Sequence, residues 1–304
     1  MEKNPSLTVY DEHIFQFINP DFEIENLVND CRFTEGPVWN KKGFYLFSDI
    51  PQNVVYQLYP GASKQIFLNH SGTNNKKPNL SEQIGSNGLA YDDRENLFIC
   101  QHGDGAVIQY IDGVIKPLIT EYQGKRFNSP NDIVVHPNGK IFFSDPPYGL
   151  KDQQLQSANA QLLAGVYCWM EGEIKLICDH YKYPNGVCLS PGYRSLFICS
   201  NKPSENFITE YDAETFELKR KILNENSDGI KSDPFYNLWL CTKEGIIIID
   251  KEGKRLGRIS LPTIPTNCCW GGPEFSDLFI TARQNIFCIK DLLLANKKAP
   301  TNKS

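Results

Sequence analysis

The sequence predicts an all-β fold, a six-bladed β-propeller whose four-stranded antiparallel blades surround a central channel. Three observations support this prediction: a hairpin pattern recurs six times, aromatic and turn-forming residues are frequent, and helical patterns are scarce. The 304 residues include 18 Phe, 14 Tyr, 22 Gly and 19 Pro, and such residues favour strands and the turns between them. We expect residues 1–304 to form one domain that ends in a polar tail at 296–304.

The repeat is the strongest of these observations. Each copy begins with an acid or amide side chain, continues as an apolar strand, turns at a cluster of Gly, Pro, Asn or Asp, and ends in a second apolar strand. The first residues of the six copies, called opener residues below, are Glu35, Asn87, Asn131, Asn185, Asp228 and Asn267. They lie 39 to 54 residues apart, which is close to the period of one four-stranded propeller blade.

Segments between the hairpins predict the remaining strands. The candidates are residues 54–58, 106–110, 114–119, 165–169 and 246–249. Residues 15–18 (FQFI) are expected to add an edge strand to the last blade and so protect an exposed edge. Helices are expected only at 153–163 and 291–295, and long polar insertions at 69–77 and 151–160 are expected over one face.

Composition and charge exclude several classes of partner. A net charge of −5 with a pI near 5.6 disfavours nucleic acid and anionic membranes. The longest apolar runs have strand length, whereas a spanning helix needs about 20 apolar residues. Because the N-terminus lacks a hydrophobic secretory signal, we expect a cytoplasmic protein. The oligomeric state is not predicted.

The ten cysteines are expected to be buried, reduced thiols. Several lie within or at the end of apolar strand candidates, and no pair has the CxxC spacing of a zinc or redox motif. Such thiols pack as small apolar groups. The GxSxG elbow of serine hydrolases and the Walker and dinucleotide fingerprints are absent from the sequence.

The opener residues predict a site on the propeller axis, because the innermost strand of each blade begins near the channel. All six carry side-chain oxygen atoms, the donors that hard cations prefer. Asn-Gly and Asp-Gly are also common turn dipeptides, so each opener taken alone could simply cap its strand. Six equivalent positions together favour the axial site.

The same residues lie in motifs that carry a family resemblance. These motifs are residues 35–39 (EGPVW), 125–132 (KRFNSPND), 144–149 (SDPPYG), 184–186 (PNG) and 227–229 (SDG). In this order they resemble the blade motifs of the senescence-marker-protein/gluconolactonase/luciferin-regenerating-enzyme family, and bacterial gluconolactonases are the most similar. The resemblance extends between residues 20 and 290.

The resemblance implies one catalytic divalent cation in the channel of a six-bladed propeller. Glu35, Asn185 and Asp228 match the core metal ligands of the family, and Asn131 matches a further ligand or an Asn that contacts substrate. Animal lactonases of the family have Arg two residues before this Asn, but this chain has Ser129. Their sugar-binding contact is therefore not expected here. Oxygen-only donors favour calcium, while zinc, magnesium and manganese stay open.

The activity implied by the resemblance is hydrolysis of a small sugar lactone of the gluconolactone type. In that reaction Asp228 is expected to activate water, although nucleophilic attack by its carboxylate stays open. Asn87, His102 and Asn131 are the candidates for binding substrate. Arg126 is a candidate for steering an acidic or hydroxylated substrate, and His136 is expected at the outer rim.

Two other functions remain open at this stage. The same cation could serve phosphotriester hydrolysis, as in the related diisopropyl-fluorophosphatase propellers. Alternatively, the propeller could be a binding platform whose axial ion is structural. Carboxylates at the axis argue against a platform, since an interaction surface does not need them.

Overall fold

Six antiparallel sheets stand side by side in a ring, which confirms the predicted six-bladed β-propeller. The structure is a computed structural model and describes residues 4–74, 80–153, 161, 163–222 and 225–294. The innermost strand of each blade contacts the innermost strand of the next, and the innermost strand of blade 6 contacts that of blade 1. The beginnings of these six strands therefore meet around one axis.

The blades follow the sequence repeat, and their strands are given from the axis outwards. Blade 1 contains Thr34–Asn40, Phe44–Asp49, Val54–Leu58 and Gln65–Asn69. Blade 2 contains Ser86–Tyr91, Leu97–Gln101, Ala106–Ile111 and Val114–Ile119. Blade 3 contains Ile133–Val135, Ile141–Asp145, Gly165–Met170 and Glu173–Cys178. Blade 4 contains Pro184–Leu189, Ser195–Ser200, Thr209–Asp212 and Leu218–Lys221.

Blades 5 and 6 each take a strand from the N-terminal part of the chain. Blade 5 contains Ile230–Ser232, Leu238–Thr242, Gly245–Ile249 and Arg255–Ile259, with Leu7–Val9 as a fifth, outer strand. Blade 6 contains Asn267–Gly271, Asp277–Ala282 and Asn285–Ile289, with Glu25–Val28 as its outer strand. The last blade is therefore completed by a strand that precedes the first, and the register pairs Glu25 with Cys288.

The prediction of an edge strand at residues 15–18 is wrong. Glu12–Gln16 is a 3-10 helix capped by the Asp11 side chain, and beyond it only Ile18 makes an isolated bridge, to Leu293. Ile14 and Ile18 are fully buried, whereas Phe15 is exposed. Phe17 packs against the same core as Ile14 and Ile18. A spacing of three and four residues puts side chains on one side of a helical turn, whereas an alternating strand would put Phe17 opposite Ile14 and Ile18, so this segment packs as a turn and leaves ring closure to the later strand.

The helix expected at 291–295 is also absent over residues 291–294. The backbone N–H groups of Leu292 and Leu293 donate to Ser276 O, and that of Leu294 donates to Phe17 O. These N–H groups bond to other segments and not to the preceding turn, so no helix forms. Of the other helix candidate, 153–163, Gln153 ends the short 3-10 helix Lys151–Gln153, and residues 161 and 163 are in no helix. Residues 154–160 and 162 lie outside the described residues, as does the tail at 296–304.

The chain just beyond one predicted insertion bonds to the chain just before the other. A bridge joins Leu80 to Leu150, and the N–H of Ser81 donates to Gly149 O. Residues 75–77 and 154–160 of the insertions lie outside the described residues. A third 3-10 helix, Pro203–Glu205, and a short ribbon of Glu121–Tyr122 with Lys125–Arg126 complete the elements of the described chain.

The core lies between neighbouring blades, where the faces of adjacent sheets pack together. All ten cysteines are buried and unpaired, as predicted, and burial raises the pKa of nine of their thiols, for example that of Cys188 to about 12. Such thiols are inert and pack as apolar groups. Within the described chain, no helix has the length and apolar character needed to cross a membrane.

Candidate functional site

Five of the six opener residues line one cavity on the axis of the ring. The cavity has a volume of about 180 Å³ and opens at the end where the innermost strands begin. The opener residues that line it are Glu35, Asn87, Asn131, Asn185 and Asp228. The remaining lining residues are Phe33, Ile50, Gln83, His102, Tyr148, Gln153 and Asn201. All six residues predicted for metal or substrate binding are therefore brought together.

Glycines after the openers allow the innermost strands to approach so closely. The N–H of Gly88 donates to Asn131 O at 2.7 Å, and the N–H of Gly186 donates to Asp228 O at 2.9 Å. A Cβ atom on Gly88 would lie 2.5 Å from Asn131 O, and one on Gly186 would lie 2.7 Å from Asp228 O. Only glycine fits against the neighbouring backbone here, so the repeated Gly sets the distance between openers.

One side of the cavity, here called the carboxylate wall, consists of Tyr148, Asn185, Asn201 and Asp228. Asn185 Nδ2 donates to Asp228 Oδ1 at 2.6 Å, and Asn201 Nδ2 donates to the same oxygen at 3.2 Å. The Tyr148 hydroxyl donates to Asn201 Oδ1 at 2.8 Å. Burial and the nearby Asp228 carboxylate hold the pKa of Tyr148 well above its ordinary value, so the phenol stays a donor.

Glu35 is buried beside this wall and is held by two donors. Its Oε2 accepts from its neighbour Gly36 N at 2.8 Å and from Asn267 Nδ2 at 3.1 Å. Asn267, the sixth opener, therefore turns towards Glu35 and does not line the cavity. The axial prediction holds for five openers, and the sixth positions a carboxylate.

The two cavity carboxylates form no ion pair within the described chain, although the charge of Arg283 acts on Asp228 from outside the cavity lining. Burial raises the pKa of Glu35 well above its ordinary value, and the charges of Asp228 and Asp132 add to the effect. Burial likewise raises the pKa of Asp228 to about 6, although the amides of Asn201 and Asn185 oppose the shift. None of the described residues lining the cavity is Lys or Arg. The site thus concentrates negative charge that a cation would neutralise.

The opposite side, here called the histidine wall, consists of Asn87, His102 and Asn131. His102 Nδ1 donates to Gln83 O at 3.1 Å, which leaves Nε2 as an acceptor near Asn87 Nδ2 at 3.3 Å and Asn131 Nδ2 at 3.5 Å. Burial lowers the pKa of His102 to about 4. The imidazole is therefore neutral near pH 7 and offers one nitrogen to the cavity.

The donor set of the cavity fits a hard divalent cation. It consists of carboxylates and amides, and the described residues contain no cluster of three or more His, Cys, Asp or Glu that could hold a metal by themselves. Asn87 Oδ1 is buried and has no hydrogen-bond partner within the described chain. A buried oxygen without a donor is costly unless a ligand satisfies it. Amide oxygens must therefore supply part of any coordination.

The sequence reasoning missed Tyr148 and Asn201. Asn201 directly follows the second strand of blade 4, as His102 follows that of blade 2 and Ile50 that of blade 1, and all three line the cavity. The first residue after the second strand thus lines the cavity in three of the six blades. That signal was available for Asn201. Tyr148 comes from a longer connection in blade 3 and has no equivalent in the repeat.

Two weaker candidates lie elsewhere. The Arg126 guanidinium donates to the backbone oxygens of Gly103 and Asn128 at 3.3 and 3.4 Å, so it supports loops and does not line the cavity. His136 lies in the turn that follows the innermost strand of blade 3 at the end away from the cavity, and its ring contacts the Tyr193 ring edge-on at 5.5 Å. It does not line the cavity.

The fold and the cavity define the class of protein: a six-bladed propeller with a small acid- and amide-lined cavity on its axis. A profile of the SMP-30/Gluconolactonase/LRE-like region matches residues 33–284. The chain belongs to this family, in agreement with the resemblance in its motifs.

Individual relatives agree with the family assignment. A gluconolactonase of Zymomonas mobilis subsp. mobilis is 31% identical over 306 residues, which cover 93% of this chain and 85% of that protein. The structure of a gluconolactonase from Xanthomonas campestris superposes with a TM-score of 0.79 at 23% identity, covering 96% of this chain and 98% of the other. A calcium-binding regucalcin from Agrobacterium tumefaciens has a TM-score of 0.69 at 17% identity, with coverages of 91% and 97%. The two structural likenesses support the fold alone.

Proposed function

We propose that this lactonase hydrolyses small sugar lactones in the axial cavity and that the reaction depends on a divalent cation. The lactonase class follows from family membership and from the gluconolactonase relative. One observation carries the proposal for the site: two buried carboxylates and three amide-bearing openers, distant in sequence, line one cavity of about 180 Å³.

Glu35, Asn131, Asn185 and Asp228 are the residues that we propose to hold the cation. Asn185 already commits its Nδ2 to Asp228, so its Oδ1 is the atom left for another partner. Oxygen donors of this kind favour calcium, with zinc, magnesium and manganese as alternatives. When a divalent cation is bound, the chemistry it supplies is polarisation of the lactone carbonyl and acidification of water.

Asp228 is the proposed base. Its Oδ1 accepts two amide hydrogen bonds, while no hydrogen bond within the described chain reaches its Oδ2, so Oδ2 can accept a proton from water. The water oxygen attacks the carbonyl carbon, the ring C–O bond breaks, and the proton passes to the departing ring oxygen. The product is the open-chain hydroxy acid.

Asn87, His102 and Asn131 are the proposed substrate-binding residues. His102 Nε2 is an acceptor on a neutral ring, and Asn87 Oδ1 is an acceptor without a donor. Sugar hydroxyl groups supply donors for both. The histidine wall therefore suits a polyhydroxylated lactone better than an apolar ester, since an apolar ester would leave Asn87 Oδ1 unsatisfied and His102 Nε2 with only two long contacts.

The proposal is tested with a pH-indicator assay on glucono-δ-lactone, run before and after EDTA treatment and after re-addition of calcium, zinc, magnesium or manganese, with elemental analysis of the protein. We expect turnover that EDTA abolishes and one of the ions restores. Full activity after complete metal removal would contradict the metal dependence. Absence of lactone turnover with all four ions, together with hydrolysis of a phosphotriester or retention of a bound ion, would instead favour the phosphotriesterase or the platform.

A further inference from the structure

The hydrogen bonds of the carboxylate wall treat the two oxygens of Asp228 unequally. Both amide donors, Asn185 Nδ2 and Asn201 Nδ2, reach Oδ1. The described chain offers no hydrogen bond to Oδ2. The two amide bonds to Oδ1 fix the orientation of the carboxylate plane, and Oδ2 is left to bind a ligand in the cavity.

The orientation of the Asn201 amide follows from its two neighbours. An ionised carboxylate only accepts hydrogen bonds, so the Nδ2 end of Asn201 must face Asp228. The Oδ1 end then faces Tyr148, whose hydroxyl donates to it at 2.8 Å. Without this phenol the Asn201 oxygen would lose its donor, and the amide would be free to rotate away from the carboxylate.

Tyr148 and Asn201 are themselves held by contacts outside the cavity. The Tyr148 ring stacks on the Tyr183 ring at 5.9 Å, and the Lys202 ammonium lies over both rings. Ser81 Oγ donates to the backbone oxygen of Tyr148 at 3.0 Å. The backbone oxygen of Asn201 accepts a hydrogen bond at 3.0 Å from Asn226 Nδ2, in the connection between blades 4 and 5. The pair is thus built into the surrounding structure.

We propose that Tyr148 and Asn201 are positioning residues that act in series: Tyr148 orients the Asn201 amide, and Asn201 holds Asp228 with Oδ2 free for the cation and water chemistry. This inference rests on the proposed function of the cavity, because it assigns the pair a task only if Asp228 has one. Neither residue is required to touch the substrate.

The test compares wild type, Asn201→Ala, Tyr148→Phe, the double variant and a matched control, Tyr183→Phe. Calcium affinity is measured by titration calorimetry after chelator treatment. Steady-state assays with glucono-δ-lactone give kcat and KM, and circular dichroism gives the melting temperature. The control removes a neighbouring phenol that makes no hydrogen bond within the described chain. Tyr148→Phe keeps the ring, so it remains informative where Asn201→Ala folds poorly.

We expect Asn201→Ala to weaken calcium binding and lower kcat by about 10- to 100-fold, with KM within about threefold of wild type. Tyr148→Phe should show the same pattern at about 3- to 10-fold. The double variant should match Asn201→Ala, because the 2.8 Å bond to Asn201 is the stronger contact of the Tyr148 hydroxyl. The hydroxyl also accepts a long bond from Asn185 Nδ2 at 3.4 Å, but without it Asn185 keeps its 2.6 Å bond to Asp228. Tyr183→Phe should behave as wild type.

Several results overturn the inference. It fails if either variant of the pair changes only the melting temperature, or if the two effects multiply in the double variant. Active wild type with unaffected variants would remove the inference and leave the proposed function standing. If the protein hydrolyses no lactone but the variants still bind calcium more weakly, the positioning inference would stand and the proposed lactone hydrolysis would be contradicted. A wild type that binds no divalent cation overturns both.

Discussion

The two walls of the cavity are built from similar residues but are bonded very differently. On the carboxylate wall the side-chain hydrogen bonds around Asp228 and Asn201 measure 2.6 to 3.2 Å. On the histidine wall the contacts to His102 Nε2 measure 3.3 and 3.5 Å, and Asn87 Oδ1 has no partner within the described chain. The carboxylate wall thus fixes its side chains with short hydrogen bonds, whereas the histidine wall holds its side chains by long contacts and leaves Asn87 Oδ1 unpaired.

This difference indicates a division of labour. A catalytic group benefits from a fixed orientation, because a misplaced reacting group lowers the reaction rate. Groups that recognise a ligand need unsatisfied donors and acceptors that binding completes. Substitutions on the carboxylate wall should therefore lower kcat, whereas substitutions of Asn87 and His102 on the histidine wall should raise KM. Asn131 is also a proposed ligand of the cation, so its substitution should lower kcat as well, by less than a substitution on the carboxylate wall. Four predictions follow this contrast from the largest expected effect to the smallest.

Asp228→Asn should lower kcat by about 10³-fold, because the amide cannot accept a proton from water. The variant keeps the size of the side chain, so its melting temperature should stay near that of wild type. Stopped assays with glucono-δ-lactone measure the loss. Asp93→Asn, an exposed acid in the turn at the far end of blade 2, is the control and should be fully active. Comparable activity of both variants would remove Asp228 as the base.

Asn185→Ala should lower kcat by about 100-fold, and Asn131→Ala by only about 10-fold. The first substitution removes a 2.6 Å hydrogen bond to Asp228 in addition to a candidate ligand oxygen. The second removes a candidate ligand whose side chain makes, among the described residues, only the 3.5 Å contact to His102. Steady-state kinetics and calcium titrations on both variants measure the contrast. An equal or larger loss for Asn131→Ala would show that the two walls do not differ as described.

His102→Phe should raise KM for glucono-δ-lactone by about tenfold, the worth of one hydrogen bond to a substrate hydroxyl, with kcat within about threefold. The ring is neutral, since its pKa is about 4, and so it contributes an acceptor and not a charge. His102→Gln restores an acceptor and should recover part of the affinity. A fall in kcat with unchanged KM would place His102 in the chemistry and not in recognition.

Asn267→Ala should have the smallest effect, a loss of about threefold in calcium affinity, because Glu35 Oε2 keeps its bond from Gly36 N. Calorimetric titration against wild type measures it. A loss as large as that of Asn185→Ala would mean that the orientation of Glu35 depends on Asn267 as strongly as Asp228 depends on its amides.

The sequence repeat was sufficient to predict the ring and the convergence of its openers. Residues at the same place in each blade must occupy the same place relative to the axis, so spacing alone located five cavity residues. The repeat could not predict which way each side chain points, because that depends on local hydrogen bonds. Asn267 Oδ1 accepts from Cys268 N at 2.9 Å while its Nδ2 bonds to Glu35, and these local bonds turn it away from the cavity.

Ring closure was anticipated but assigned to the wrong segment. Residues 15–18 are as apolar as a strand, yet Ile14 and Ile18 pack on the same side of a helical turn against the core between blades 5 and 6. Glu25–Val28, which does pair with the last blade, has only two apolar residues and an exposed first half. Edge pairing relies on backbone hydrogen bonds, which composition does not reveal.

The pairing of Glu25 with Cys288 also has a consequence for biosynthesis. A ribosome releases Glu25–Val28 and Glu35 early. Their partners, the strand Asn285–Ile289 and the Asn267 amide that donates to Glu35, emerge only after five blades have been made. Contacts between such distant parts of a chain form slowly. The axial cavity is therefore among the last parts of the molecule to be completed, and a nascent or truncated chain can carry well-formed blades around an incomplete cavity.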